Sequence, residues 1–140
     1  MIVDAPQSGN RRSVNDTTGD ATGYLAEGLA QWGPAAAAPA LTAAAASDYC
    51  RALCARHYEN FTVASWFLPR ALRRHFCHIY AYCRWADDLA DETPDADAGL
   101  RLLGWWETEL DQCLAGSPRH PVFVALRETG GTRLFDKLVA

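Results

Sequence analysis

Tyr80-Ala81-Tyr82-Cys83-Arg84-Trp85-Ala86-Asp87-Asp88-Leu89-Ala90-Asp91-Glu92 places four acids in its last six residues. The stretch closes a longer run, from Arg70 to Asp91, that contains neither Gly nor Pro. Pro69 suits the start of a helix, where a backbone donor is not needed. Pro94 ends the run, because the residue before a proline is pushed out of helical geometry. Leu72, Phe76, Ile79, Cys83, Ala86 and Ala90 recur at steps of four and three. That spacing predicts one apolar stripe of an amphipathic helix. Tyr80, Arg84, Asp87, Asp88 and Asp91 fall at i, i+4, i+7, i+8 and i+11 and form a second stripe.

The acids are poorly placed for a helix left to itself. Asp87 with Asp91, and Asp88 with Glu92, are like-charge pairs one turn apart, each costing roughly 0.2–0.5 kcal/mol. They also crowd a helix C-terminus, where the macrodipole disfavours acids by about 0.3–1 kcal/mol. Stability given up twice at one spot marks a candidate functional site. Mg²⁺ is commonly held by one or two carboxylates together with substrate phosphates. Arg84 adds a planar fork of donors that fits phosphate oxygens. The segment therefore points to chemistry on a diphosphate, with magnesium as the bridge. A solvated acidic helix end is the plain alternative, and the aromatic and arginine in register weigh against it.

Composition narrows the rest. A chain of 140 residues, 49% of them apolar, holds one domain at most and enough apolar material for a core. A net charge of −4 and a pI near 5.5 argue against nucleic-acid binding. Arg70, Arg73, Arg74 and His75 form a local basic cluster, read as a solvated helix start or as a contact for phosphate or an anionic membrane. Five cysteines without a visible secretory signal read as reduced thiols in a cytoplasmic protein. Cys50, Cys54 and His57 could share a helix face, but without a Cys-x-x-Cys pair they read as buried thiols rather than a zinc site. No run approaches the roughly 20 apolar residues of a membrane-spanning helix. Peripheral membrane contact and self-association stay open.

Residues 1–47 read as a disordered tail and an Ala/Pro-rich linker, with a short helix at Tyr24–Trp32. The ordered part is expected from residue 48 to 128. Ser47 or Asp48 would cap a helix reaching about Asn60. A helix from about Ala96 to Ala115 carries Leu100, Leu103, Trp106 and Leu110, and Gly116 and Pro118 end it. A further helix starts near His120-Pro121. Nothing alternates with period two, so the expected fold class is all-α. Gly130-Gly131-Thr132 interrupts the last helix, and residues 129–140 stand as an unmatched tail.

The motifs resemble the N-terminal part of the squalene/phytoene synthase family, the head-to-head prenyltransferases. Three elements carry the resemblance: His57-x-x-Asn60-Phe61 followed by Leu68-Pro69, Ile79-Tyr80-Ala81-x-Cys83-Arg84, and Asp87-Asp88-x-x-Asp91-Glu92. Their spacing is specific, and the likeness covers over half of the chain. It implies the all-helical isoprenoid synthase fold, a Mg²⁺ cofactor and a prenyl diphosphate substrate. Tyr80, Arg84, Asp87 and Asp91 would form the catalytic group. Asp87, Asp88 and Asp91 are the metal candidates, with Asp88 standing behind the other two or facing solvent. His57, Asn60, Phe61 and Arg84 would bind substrate. The phrase His57-Tyr58-Glu59-Asn60-Phe61 looks most like the hopanoid-pathway branch, which acts on farnesyl or presqualene diphosphate. Phytoene synthesis in the carotenoid branch is the competing reading, and a non-catalytic helical binding module is the other. The family's second aspartate-rich motif has no counterpart here, so an incomplete chain is the expectation.

Overall fold

The computed structural model describes residues 18–59 and 61–130. Six helices occupy them: α1 (Thr18–Trp32), α2 (Ala43–His57), α3 (Phe61–Phe67), α4 (Arg70–Asp91), α5 (Ala96–Leu114) and α6 (Pro121–Gly130). No strand occurs among the described residues, so the fold is all-α, in keeping with the isoprenoid synthase fold. α2, α4 and α6 pack against one another, α5 lies along α4 and α6, and α1 crosses α4.

The boundaries follow local chemistry. α4 begins after Pro69, whose carbonyl accepts from Leu72 N–H at 2.9 Å, and it closes with Glu92 N–H on Asp88 O at 2.8 Å. Asp95 caps α5 by accepting from Ala98 N–H at 2.8 Å. His120 starts α6, its Nδ1 accepting from Val122 N–H at 3.1 Å.

Four expectations change. First, α2 begins at Ala43, before the expected Ser47 or Asp48. Thr42 accepts from Ala45 N–H at 3.2 Å, and four alanines, each a strong helix former, follow the cap. Second, the segment expected to be disordered through residue 47 contains α1, which runs from Thr18 rather than Tyr24. It buries Leu25 and Trp32 in the core, and Tyr24 Oη lies 3.0 Å from Tyr49 Oη. Third, the stretch before Pro69, for which no helix is expected, forms α3, whose seven residues are too few to show a periodic stripe.

The fourth concerns α4. Its core face carries His75, Cys77, His78, Ala81, Trp85, Asp88 and Leu89. Of the stripe expected inside, Leu72, Cys83 and Ala90 are exposed and Phe76, Ile79 and Ala86 are half-buried. Two histidines and an aspartate disguise the true inner face as polar. Each is compensated there, as buried polar groups must be. His75 Nδ1 and His78 Nδ1 both meet Thr129 Oγ1, at 2.8 and 2.9 Å, and His78 Nε2 meets Ser47 Oγ at 2.8 Å. These contacts tie α2, α4 and α6 together.

Trp85 is the centre of the core. It is fully buried and stacks on Trp106 at 5.4 Å and 13°. It meets the His120 ring edge-on at 4.6 Å, and its Nε1 donates to Tyr49 Oη at 3.1 Å. Cys50, Cys54 and Cys77 are buried in the same core, and burial pushes the Cys50 thiol up to about 12. The expected unmatched tail lies mostly outside the described residues, but Thr129 within it is part of the core.

Two predictions follow from this packing. A Cβ at Gly28 would lie 2.7 Å from the Trp85 ring. Gly28→Ala should therefore destabilise the protein by about 1–3 kcal/mol in thermal melts. With α1 undocked the same change would stabilise by up to about 1 kcal/mol, so the sign reports docking. Burial holds His78 neutral, lowering its proton affinity from the ordinary 6.5 to about 4. The unfolded chain then takes up the proton first as pH falls. The His78 contribution to stability should be full above pH 6.5 and fall by about 3 kcal/mol on the way to pH 4, with the buried His75 and His120 acting in the same direction. Denaturant titrations showing a flat response across that window would contradict the burial of this ring.

Candidate diphosphate and metal site

The site residues lie on the C-terminal half of α4. Tyr80 is half-buried and rests against the Tyr58 ring at 5.4 Å, where the chain leaves α2. Arg84 donates through Nε to Asp88 Oδ2 at 3.1 Å. Burial pushes the Tyr80 hydroxyl above its usual range, and the nearby Arg84 charge acts against that shift. Arg84 and Asp88 are thus linked on the helix, with Tyr80 one turn before Arg84.

Asp88 sits deeper than expected. Only 4% of it is exposed, and it belongs to the inner face rather than to the solvent side. Burial pushes its carboxyl above the usual carboxylate range, and the Arg84 charge acts against that shift. Asp87 and Asp91, by contrast, are exposed. One helical turn separates them, so their carboxylates can meet a ligand from one side. The structure therefore divides the acids into an open pair, Asp87 and Asp91, and a buried anchor, Asp88, that holds Arg84 beside them. The signal for the anchor was available: Arg84 and Asp88 stand at the i, i+4 spacing of a helical ion pair.

The remaining residues are placed less directly. His57 ends α2 with its ring 5.0 Å from that of Tyr24. Asn60 and the side chain of Phe61 lie outside the described residues. Trp85 and Trp106 belong to the core, Trp105 is half-buried and Trp66 is exposed.

The fit to magnesium can be judged from the donor set. Hard carboxylate oxygens suit Mg²⁺, which keeps several waters and readily shares its shell with phosphate. Among the described residues, no group of three or more His, Cys, Asp or Glu could hold a metal ion. Asp87 and Asp91 thus fit an ion shared with a bound diphosphate, not a closed protein cage.

Sequence comparison decides the family. The squalene/phytoene synthase pattern matches residues 54–137, more than half of the chain. The chain belongs to the squalene/phytoene synthase family. The match extends beyond residue 128, the expected end of the ordered part. A phytoene synthase from Arthrospira platensis is 34% identical over 84 residues, which are 60% of this chain and 27% of that protein. A 15-cis-phytoene synthase from Synechococcus elongatus is 33% identical over 84 residues, again 60% of this chain and 27% of the relative. A chloroplastic phytoene synthase from Narcissus pseudonarcissus is 30% identical over 84 residues, 60% of this chain and 20% of the relative. The chain spans about a quarter of the length of the cyanobacterial relatives. No solved structure gives a significant match. Among the described residues, no helix is long and apolar enough to cross a membrane.

The buried pair generates a test of its own. Arg84→Ala leaves Asp88 without its counter-charge and should lower stability by about 1–3 kcal/mol at neutral pH. The loss should shrink as pH falls below the raised carboxyl of Asp88, because the protonated acid no longer needs the arginine. Melts of the variant and the parent at several pH values would show it.

Proposed function

We propose that this chain supplies the first acidic wall of a magnesium-dependent prenyl-diphosphate site. The observation that carries the reading is the open Asp87–Asp91 pair, one turn apart beside an arginine anchored by a buried acid. Asp87 and Asp91 would hold the ion, and Arg84 would take diphosphate oxygens. When bound, magnesium would neutralise the diphosphate and make it a better leaving group. Asp88 keeps the guanidinium in place, so little rotamer freedom is lost when an anion arrives. Tyr80 presents an aromatic ring beside the same edge of the helix, where positive charge developing on a prenyl carbon could be stabilised.

The names of the relatives support phytoene synthesis, the condensation of two geranylgeranyl diphosphates, at least as well as the hopanoid reaction. The hopanoid reading, with farnesyl or presqualene diphosphate as substrate, rests on the phrase His57-Tyr58-Glu59-Asn60-Phe61. Both readings use the same acids and the same arginine. They differ in the prenyl chain of the substrate.

Calorimetry with inorganic pyrophosphate and with geranylgeranyl, farnesyl and presqualene diphosphates, with and without Mg²⁺, tests the reading. Binding should require Mg²⁺ and fall at least about tenfold in Asp87→Asn and in Asp91→Asn. The far-ultraviolet circular dichroism of both variants should match the parent, since both side chains are exposed. Binding that ignores Mg²⁺, or survives in both variants, rejects the metal assignment. The order of affinity among the prenyl diphosphates separates the two branches.

A further inference from the structure

α1 lies against a residue of the candidate site. The Tyr24 ring stands 5.0 Å from the His57 ring, tilted by 59°, and the Nε2 of His57 is buried. A wall of an open anion site would leave that nitrogen accessible. Here the imidazole read as a substrate contact is closed off while α1 is docked. The other anchors of the helix are few. Tyr24 Oη lies 3.0 Å from Tyr49 Oη, Leu25 and Trp32 are buried, and Gly28 backs onto the Trp85 ring.

α1 is also the element best able to leave. Its fifteen residues include Gly19, Gly23 and Gly28, and each glycine weakens a helix relative to alanine. A helix of this length is marginal in water without packing. Residues 33–42, which join it to α2, contain neither helix nor strand, so α1 can separate while α2 keeps its place. α2, α4, α5 and α6 pack together without it, and the family pattern begins only at residue 54, beyond α1.

We infer that α1 is an autoinhibitory latch over His57: docked, it closes the ring off, and undocked, it opens the ring to ligand. The latch rests on the diphosphate reading only for the ligand that enters. A ligand that needs His57 binds the open population alone, so its apparent affinity is reduced by the open fraction. Ligand and docked α1 therefore exclude each other, and each should displace the other.

Hydrogen exchange, histidine modification and calorimetry on the full chain test the latch. Amides of α1 should exchange at least about tenfold faster than those at the centre of α4. Carbethoxylation of His57 by diethyl pyrocarbonate, followed by peptide mass, should quicken at least about fivefold in Tyr24→Ala. Tyr24→Phe, which keeps the ring over His57, should stay near the parent. Alanine at two glycines of the same helix should act with opposite signs. Gly28→Ala crowds Trp85 and opens the latch. Gly23→Ala, with nothing within 4 Å of its Cβ, strengthens the helix and closes it. Affinity for pyrophosphate with Mg²⁺ should rise at least about fivefold in Gly28→Ala and fall up to about fivefold in Gly23→Ala. The second variant carries the sign even where the first lowers the yield of folded protein. Amides of α1 as protected as those of α4, or modification of His57 indifferent to Tyr24→Ala, overturn the latch. So does an affinity that falls in Gly28→Ala and rises in Gly23→Ala, which makes α1 a supporting wall of the site. Faster modification of His57 in Tyr24→Ala, with no pyrophosphate bound by any variant, upholds the latch and rejects the diphosphate reading.

Discussion

The fold turns on one buried indole. Trp85 is reached by α1 through Gly28, by α2 through Tyr49, by α5 through Trp106 and by the start of α6 through His120. Each contact constrains its neighbour. The close approach of α1 requires a residue without a side chain. The Tyr49 hydroxyl takes the indole proton, so the Trp85 donor is not left stranded. Trp106 stacks flat on one face, and the His120 ring stands edge-on to the indole. Because Trp85 is the residue after Arg84, the same rigid turn that plugs the core also sets the direction of the candidate site.

The inner face of α4 carries more polar groups than a short helical domain usually buries. They are tolerated because each meets a partner supplied by another turn or another helix. Thr129 serves two histidines, Ser47 serves one, and Arg84 serves Asp88. Such pairings specify register more sharply than apolar contacts, since a shift of one residue would strand every group at once. They also account for the division of labour among the acids. The aspartate turned inward stabilises the arginine, and the two turned outward are left for a ligand.

Much of this was readable from residues alone. α4 and α5, the absence of period-two alternation, and the common edge of Tyr80, Arg84, Asp87 and Asp91 all follow from spacing. The inner face of α4 did not, because two candidate stripes compete. The apolar-looking one lost to a stripe whose histidines and aspartate find partners only in the folded chain. Ser47 was read as a helix cap, yet its hydroxyl serves His78 on another helix, while Thr42 does the capping. α1 was hidden for a similar reason. Its sequence is unremarkable until Gly28 and Tyr24 are set against Trp85 and Tyr49, and such long-range partners leave no local signal. Asp88 is the instructive residue of the site, since its type and spacing allowed either a ligand or an anchor, and only burial separates the two.

The shared hydroxyl of Thr129 has a consequence for where protons sit. A threonine has a single hydroxyl proton, so it can donate to one imidazole at most and must accept from at least one of the two. His75 and His78 both approach it through Nδ1. At least one of the two rings must therefore carry its hydrogen on Nδ1. If His78 has a bare Nδ1, its Nε2 bears the hydrogen and donates to Ser47; in the reverse state Ser47 donates to it. The hydroxyl of Ser47 on α2 is thus tied, through the His78 ring, to the hydroxyl of Thr129 on α6.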